Sequence, residues 1–474
     1  MAKEGKEEFK DYGVDEYVPQ EARHYGFMDM VSTWIGANCQ PNTWFIGGCL
    51  AASGFAVAAG VTLVANPISY IILALVGFIG YKVTTTSMGL MRFPFGIRGS
   101  KLPTVFNTVT LIGWTAVGNY LGAISMSYLF NTLWGWPCYG MEGSAGVMVL
   151  GTLINAVLTA TFVCVGGSKA VKYAENIAVI AMLVLSAWIT YSVLKTFPIS
   201  EIIAWKPSED VRMSMGVGID TIVAFSLSWV PCVAEFTRYT KSKKAATVAP
   251  VIGATVGIYW FALVGTVAVI ASALTTGVFD PNTSDPSSVA AALGLGLPAM
   301  FVIVLSVVTT NMISLYSGSI SALNLCKKPI SVKKMNLAMG GVSILFSLIP
   351  IAMASFLDFF YTFMDFLALV FPPLIAVLIV DFYLIRKRKY VHSEISNETG
   401  PYWYKNGFNW YALACWLVGT IAFLVFKKCP SVVDSVGAVF PAFFVTMIVY
   451  FLTAKYAVSK GVYKDLSENI EQNS

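Results

Sequence analysis

Charge-free apolar runs alternate with short polar stretches along almost the whole chain. Twelve such runs stand out, numbered here as segments 1–12, at roughly 27–57, 62–87, 103–132, 144–167, 171–195, 215–239, 248–275, 298–325, 334–353, 356–385, 407–426 and 432–456. A helix of about 20 apolar residues crosses a bilayer core, and most of the runs reach or approach that length. Stretches such as VMVLGTLINAVLTATFVCVGG carry no charge. In hydrocarbon each backbone N–H and C=O needs a partner within its own segment, so these runs are predicted to be helices. Strand-like alternation is absent, which argues against a barrel. The expected fold class is an all-α polytopic membrane protein of twelve transmembrane helices.

Composition agrees. Hydrophobic residues make up 56% of the 474 and charged residues 12%, against about 25% charged in soluble domains. The net charge of +5 is spread in short clusters between apolar runs, so a nucleic-acid partner is not expected and the lipid bilayer is. Those clusters orient the chain. With the N-terminus inside, inner loops hold Lys82, Arg92, Arg98, Lys101, Lys169, Lys172, Arg238, Lys241, Lys243, Lys244, Lys327, Lys328, Lys333, Lys334, the run Arg386 to Lys389, and Lys405. Outer loops hold only Lys195, Lys206, Arg212, Lys427 and Lys428. The bias predicts cytoplasmic N- and C-termini in a multi-pass plasma (inner) membrane protein. The first 25 residues are polar and charged, not an apolar signal, so segment 1 is expected to direct insertion. Within the cytoplasmic tails 1–26 and 457–474, the stretches MAKEGKEEFKDYGVDEY (1–17) and KDLSENIEQNS (464–474) are expected to be disordered. The outer loop FDPNTSDPSSVAAALGLGLP is long enough for a short helix over an entrance. Eight cysteines show no metal-ligand spacing and are expected to be small buried hydrophobes; no cofactor is expected.

Two segments break the helical pattern. Segment 1 reads STWIGANCQPNTWFIGG, with Gly36, Asn38, Gln40, Pro41, Asn42 and Thr43 at mid-membrane. Segment 6 carries Ser226, Ser228, Trp229 and Pro231 at similar depth. Polar residues beside a helix breaker suit a cavity: freed carbonyls can hold a cation, and half-helix N-termini present N–H groups to a substrate. A pair of packed proline kinks is the plainer alternative. The breaks fall in the first helices of two five-helix units, 27–195 (segments 1–5) and 215–387 (segments 6–10), running in opposite directions as inverted repeats require; 407–456 holds segments 11 and 12.

On segment 8, Ser306, Thr309 and Thr310 share one face, as ligands for a small cation or as ordinary helix-to-helix glue. Trp114 lies mid-segment 3 with Asn119 beyond it, and Phe225 and Trp229 flank the segment 6 break. Such rings can stack on a flat heteroaromatic ligand. Both histidines, His24 and His392, lie outside the apolar runs, which disfavours an intramembrane enzyme or a histidine proton relay. Asp220 and Asp365 are candidates for proton coupling or an outer gate, with ordinary helix-end pairing as the alternative. Glu235 and Arg238 are spaced to pair at the inner end of segment 6.

Taken together, VPQEAR (18–23), GANCQPNTWFIGG, MRFPFGIRGSKLP (91–103), GW (113–114), AEFTRYTKS (234–242), TTN with LYSG (309–318) and FPPLIAVLIVDFYLIRKRKY (371–390) resemble the nucleobase–cation symport family 1, and within it the cytosine and purine permeases. The resemblance implies a leucine-transporter-like fold of two inverted five-helix repeats plus two C-terminal helices. It also implies alternating access and import of a nucleobase or related heterocycle with a cation, sodium favoured over proton. By position, Trp114 looks like the family's stacking tryptophan. Asn38, Gln40, Asn119, Phe225, Ser226, Ser228, Trp229 and Asn311 complete the substrate-facing candidates. Sodium would be held by Thr309, Thr310 and Ser306 with the carbonyls of Gly36 and Gln40. Two positions depart from the cytosine permeases: Leu111 stands where they carry a glutamine, and Ser226 aligns with their second stacking aromatic. An allantoin, hydantoin or vitamin-precursor heterocycle therefore stays open as substrate, and an amino acid on the same fold is the more distant alternative.

Overall fold

The computed structural model describes residues 12–13, 16–326, 330–353 and 355–463, and for 165–176 the backbone alone. Residues 1–11 and 464–474 of the tails, Lys327, Lys328 and the side chains of Lys169 and Lys172 lie outside the described residues. Among the described residues the architecture is all-helical, with only isolated bridges at Tyr25–Thr240 and Lys405–Phe408. Nine helices there are long and apolar enough to cross a membrane. They cover nine of the twelve predicted segments, and the remaining three differ for physical reasons. Segment 1 is two short helices, Phe27–Asn38 and Pro41–Leu50. Segment 3 is one helix, Lys101–Trp134, whose many polar residues dilute its hydropathy. Segment 11 is the 17-residue helix Trp410–Phe426.

Segments 4 and 5 fall within one helical run, Ser144–Thr196, of 53 residues. Straight, it would be about 80 Å long at 1.5 Å per residue. Yet both ends sit against the same loop, 277–285. Tyr139, just before the run, donates to the Asn282 carbonyl at 3.3 Å. Trp205, just after it, meets Phe279 edge-on at 5.3 Å. The chain therefore reverses between the apolar spans Ser144–Cys164 and Ile177–Thr196.

The two predicted breaks are present. Gln40 is extended (φ −143°, ψ 158°) and Pro41 opens the second half of segment 1. A residue before proline is pushed out of the helical region, and proline is pre-shaped for a first helical position. Segment 6 runs as Met215–Leu227, a 3-10 turn at Val230–Cys232 around Pro231, then Val233–Thr237. Segment 2, Phe55–Val83, continues through Pro67. That ring displaces the carbonyl four residues back, and the Tyr259 hydroxyl of segment 7 donates to the Leu63 oxygen at 2.5 Å.

Segments 1, 2, 6 and 7 pack as one group, and 3, 4, 8 and 9 as another, with segment 10 (Phe356–Val380) between segments 6 and 12. Segment 7, Lys243–Thr276, meets segment 1 through glycines. A Cβ at Gly253 would lie 2.3 Å from the Val31 oxygen, at Gly257 2.9 Å from Asn38 Cβ, and at Gly265 2.2 Å from the Trp44 oxygen. This is the small-xxx-small packing by which membrane helices bring backbones close. The 277–295 loop does carry the expected short helix, Pro286–Ala292, capped by Asp285. Burial pushes the Asp285 carboxyl above the usual carboxylate range, countered by hydrogen bonds from Ser288 and Ser287. The helix rests on segment 3 through Ser125–Ser287 and Tyr128–Ser288 hydroxyl contacts.

Gly253→Leu is expected to cost about 3 kcal/mol through overpacking and to lower the melting temperature of the purified protein. Gly60→Leu, where nothing lies within 4 Å, should leave it unchanged. Equal melting of the two variants would contradict the glycine seam.

Candidate functional site

The break in segment 1 leaves helix-end groups to be satisfied. Cys39 N–H donates to the carbonyls of Ile35 and Gly36, both at 3.0 Å. Gln40 Nε2 folds back to the Ala37 oxygen at 2.9 Å. The Gln40 carbonyl accepts from Thr43 and Trp44 at the start of the second half-helix, so the carbonyls facing the gap are those before it. Beside this gap lies a small cavity of about 20 Å³. Gly36, Gln40, Trp229, Ser306, Thr309 and Thr310 line it together, joined by Ala37 and Cys39 of segment 1, Ala178 and Val179 of segment 5, and Ile313 and Ser314 of segment 8. All five cation candidates thus share one cavity with one aromatic candidate. Thr309 Oγ1 donates to the Ser306 carbonyl at 2.9 Å, which leaves its lone pairs free to accept a cation. Trp229 Nε1 is buried without a hydrogen-bond partner. Its ring meets Trp34 edge-on at 6.1 Å.

The other candidates fall into three places. Trp114 is 9% exposed and is flanked edge-on by Phe225 at 5.4 Å and Phe363 at 5.1 Å. Its ring is therefore bracketed by aromatics, outside the lining of the cavity. Ser228 donates to the Phe225 carbonyl at 2.6 Å, closing the end of its half-helix. Asn38 and Ser226 are buried against segment 2: Tyr70 donates to Asn38 Oδ1 at 3.1 Å, and Ser226 donates to Asn66 Oδ1 at 2.5 Å.

Asn119 and Asn311 belong to a buried amide cluster among segments 3, 4, 8 and 9. Asn119 Oδ1 accepts from Asn155 at 3.0 Å and Asn311 at 2.9 Å, while its own amide donates to Ser347 at 3.3 Å. Asn311 also donates to the Thr115 carbonyl at 3.2 Å. Gly118 and Gly122 make room for these amides, since a Cβ there would lie 2.1 Å from Asn311 Oδ1 and 2.8 Å from Asn155.

Among the described side chains, no membrane acid lines the cavity. Asp220 accepts from the N–H groups of Ala438 and Val439 at 2.7 and 2.8 Å, holding the start of segment 12. Asp365 pairs with Lys427. Glu235 accepts from the Ser87 hydroxyl at 2.6 Å. Among the described residues no cluster of His, Cys, Asp or Glu could hold a metal ion.

Sequence reasoning missed Tyr70, Asn66, Phe363, Cys39 and Asn155. The clearest available signal was VANPISY in segment 2, where a buried amide precedes a membrane proline and a tyrosine follows one turn later. Asn155 was equally visible in LINAVL.

Broken helices enclosing a cavity within a bundle of apolar spans define a membrane transporter. Comparison with known proteins agrees. Residues 17–452 match the family described as permease for cytosine/purines, uracil, thiamine, allantoin, and the chain belongs to this family, the nucleobase–cation symport family. Among curated relatives, an allantoin permease of Bacillus subtilis is 23% identical over 455 residues, 90% of each chain. A cytosine permease of Escherichia coli is 26% identical over 396 residues, 81% of this chain and 84% of the other. The fold matches Mhp1, a nucleobase-cation-symport-1 family transporter, in a closed conformation with bromovinylhydantoin bound. That match has a TM-score of 0.75 at 17% identity and covers 98% of this chain and 100% of the other. The inward-facing Mhp1 conformation gives the same TM-score over 95% of both chains.

Asn119→Ala removes the acceptor of two buried amide groups. It is expected to cost on the order of 2 kcal/mol and to lower the melting temperature of the ligand-free protein. An unchanged melting temperature would show that the amide cluster is not a structural tie.

Proposed function

We propose that the chain imports a nucleobase or related heterocycle by cation symport with alternating access, sodium favoured over proton. The observation that carries this reading is the single cavity where the segment 1 break, Trp229 of the segment 6 break and three hydroxyl residues of segment 8 meet. Its donors are neutral oxygens, the hard ligands that a sodium ion takes, and among the described side chains no carboxylate lines it. The cation would lie between Gly36 and Ser306, Thr309 and Thr310, with Cys39 and Gln40 at the gap. The heterocycle would lie between that gap and Trp114, displacing Phe225 or Phe363 from the indole face. Sodium would order the segment 1 gap and so favour the state that holds substrate. By linkage, substrate would favour sodium binding to the same degree.

In this reading, residues 27–195 and 215–387 form inverted repeats, 407–456 adds two helices, and the chain crosses the plasma membrane twelve times with both termini cytoplasmic. An allantoin or hydantoin substrate is supported by the allantoin permease relative and by the hydantoin bound in Mhp1. A vitamin-precursor heterocycle fits the thiamine in the family description. The amino-acid alternative rests on a weaker fold match, MhsT in complex with L-phenylalanine, with a TM-score of 0.58.

Uptake into proteoliposomes tests the proposal. A sodium gradient should drive accumulation of at least one heterocycle and of no amino acid. Trp114→Ala should weaken apparent affinity by about tenfold, the loss of roughly 1.4 kcal/mol of stacking and burial. Thr310→Ala should raise the sodium concentration for half-maximal uptake while leaving the melting temperature of the sodium-free protein unchanged. Full sodium response in Thr310→Ala would remove the ion site, and unaltered affinity in Trp114→Ala would remove the stacking role.

A further inference from the structure

We infer that Tyr70 and Asn66 of segment 2 are positioning residues that tie the two helix breaks to one another. The inference rests on the transport reading for its functional consequence, and on geometry alone for the tie. The two side chains are one turn apart and so share a helix face. Each reaches a different broken helix. Tyr70 donates to Oδ1 of Asn38, the last residue of the first half of segment 1. Asn66 Oδ1 accepts from Ser226, which lies one residue before the end of the first half of segment 6. All four residues are fully buried.

The remaining groups of the network are fixed locally. Asn38 Nδ2 donates to the Trp34 carbonyl at 3.1 Å and Asn66 Nδ2 to the Thr62 carbonyl at 3.0 Å. Each amide is thereby held in one rotamer with its oxygen turned outward from its own helix. The Tyr70 hydroxyl hydrogen then links segments 1 and 2, and the single Ser226 hydroxyl hydrogen, shared between Asn66 Oδ1 and the Ile222 carbonyl at 2.9 Å, links segments 6 and 2. Segment 2 is anchored in turn by the Tyr259 hydroxyl on the carbonyl that Pro67 displaces. An unbroken helix thus carries both broken ones, and a shift of one gap is passed to the other through two side chains four residues apart. Asn38 and Ser226 act here through the position of the gaps, from beneath the cavity lining and not on it.

The chain carries its own reporters. Cys39 sits in the segment 1 gap and Cys232 in the segment 6 turn, both buried, while Cys415 is buried in segment 11, away from either. The test is site-resolved maleimide labelling of the full chain, read by peptide mass spectrometry, in wild type, Tyr70→Phe and Ser226→Ala. Each variant removes one hydroxyl and little volume. Cys39 and Cys232 should both label about tenfold faster in each variant, the effect of losing one hydrogen bond, with Cys415 unchanged. Affinity for the transported heterocycle should weaken by a similar factor.

Labelling that stays at the wild-type rate, or rises at only one gap, overturns the tie. A parallel rise at Cys415 marks general loosening and also overturns it. If the wild type binds no heterocycle, the transport reading falls while the labelling still decides the tie.

Discussion

Unpaired backbone in hydrocarbon is the constraint on which this structure depends. Most segments meet it by remaining helical from end to end. Segments 1 and 6 do not, and the buried network of Asn38, Tyr70, Asn66 and Ser226 is arranged around that exception. The gap in segment 1 is closed locally by Cys39 N–H and the Gln40 side chain, and that in segment 6 by Ser228 on the Phe225 carbonyl. What those bonds leave open faces a cavity, the one setting in which irregular backbone is tolerated at membrane depth. The close packing of segment 7 on segment 1 through Gly253, Gly257 and Gly265 holds the two half-helices in place despite the gap.

The buried polar side chains divide by what they satisfy. The amide cluster of Asn119, Asn155 and Asn311 joins segments 3, 4, 8 and 9, pairing within itself and with Ser347 and the Thr115 carbonyl. The network of Asn38, Tyr70, Asn66 and Ser226 joins segments 1, 2 and 6. The hydroxyls of segment 8 face the cavity instead. Two groups of helices, each internally bonded and meeting at a cavity, are what a transporter needs if its halves are to move while their interiors stay intact. Three membrane acids stand outside this arrangement: Asp220 and Asp365 fasten outlying segments, and Glu235 holds the loop at Ser87.

Much of this was legible in the sequence. Apolar length gave the segments, because hydrocarbon thickness and helical rise leave little choice. Proline beside polar residues located both breaks, and the i, i+3, i+4 spacing of Ser306, Thr309 and Thr310 placed them on the cavity. Side-chain direction was not legible. Asn38 and Asn311 look equally like ligand-facing amides, yet one is held by a tyrosine 32 positions away and the other by an asparagine 192 positions away. Such pairings depend on which helix lies opposite, which local pattern does not encode. The Gly253-x-x-x-Gly257 seam was visible as a motif, but its partner was not.

The central claim is that cation and heterocycle share the site between the two breaks. The most direct measurement is the melting temperature of the purified wild-type protein titrated with nucleobases, allantoin and hydantoins, in sodium and in choline. The account predicts that at least one heterocycle raises it by several degrees in sodium and far less in choline. Equal stabilisation in both salts would contradict the shared sodium site, and no stabilisation by any of these compounds would contradict the substrate class itself.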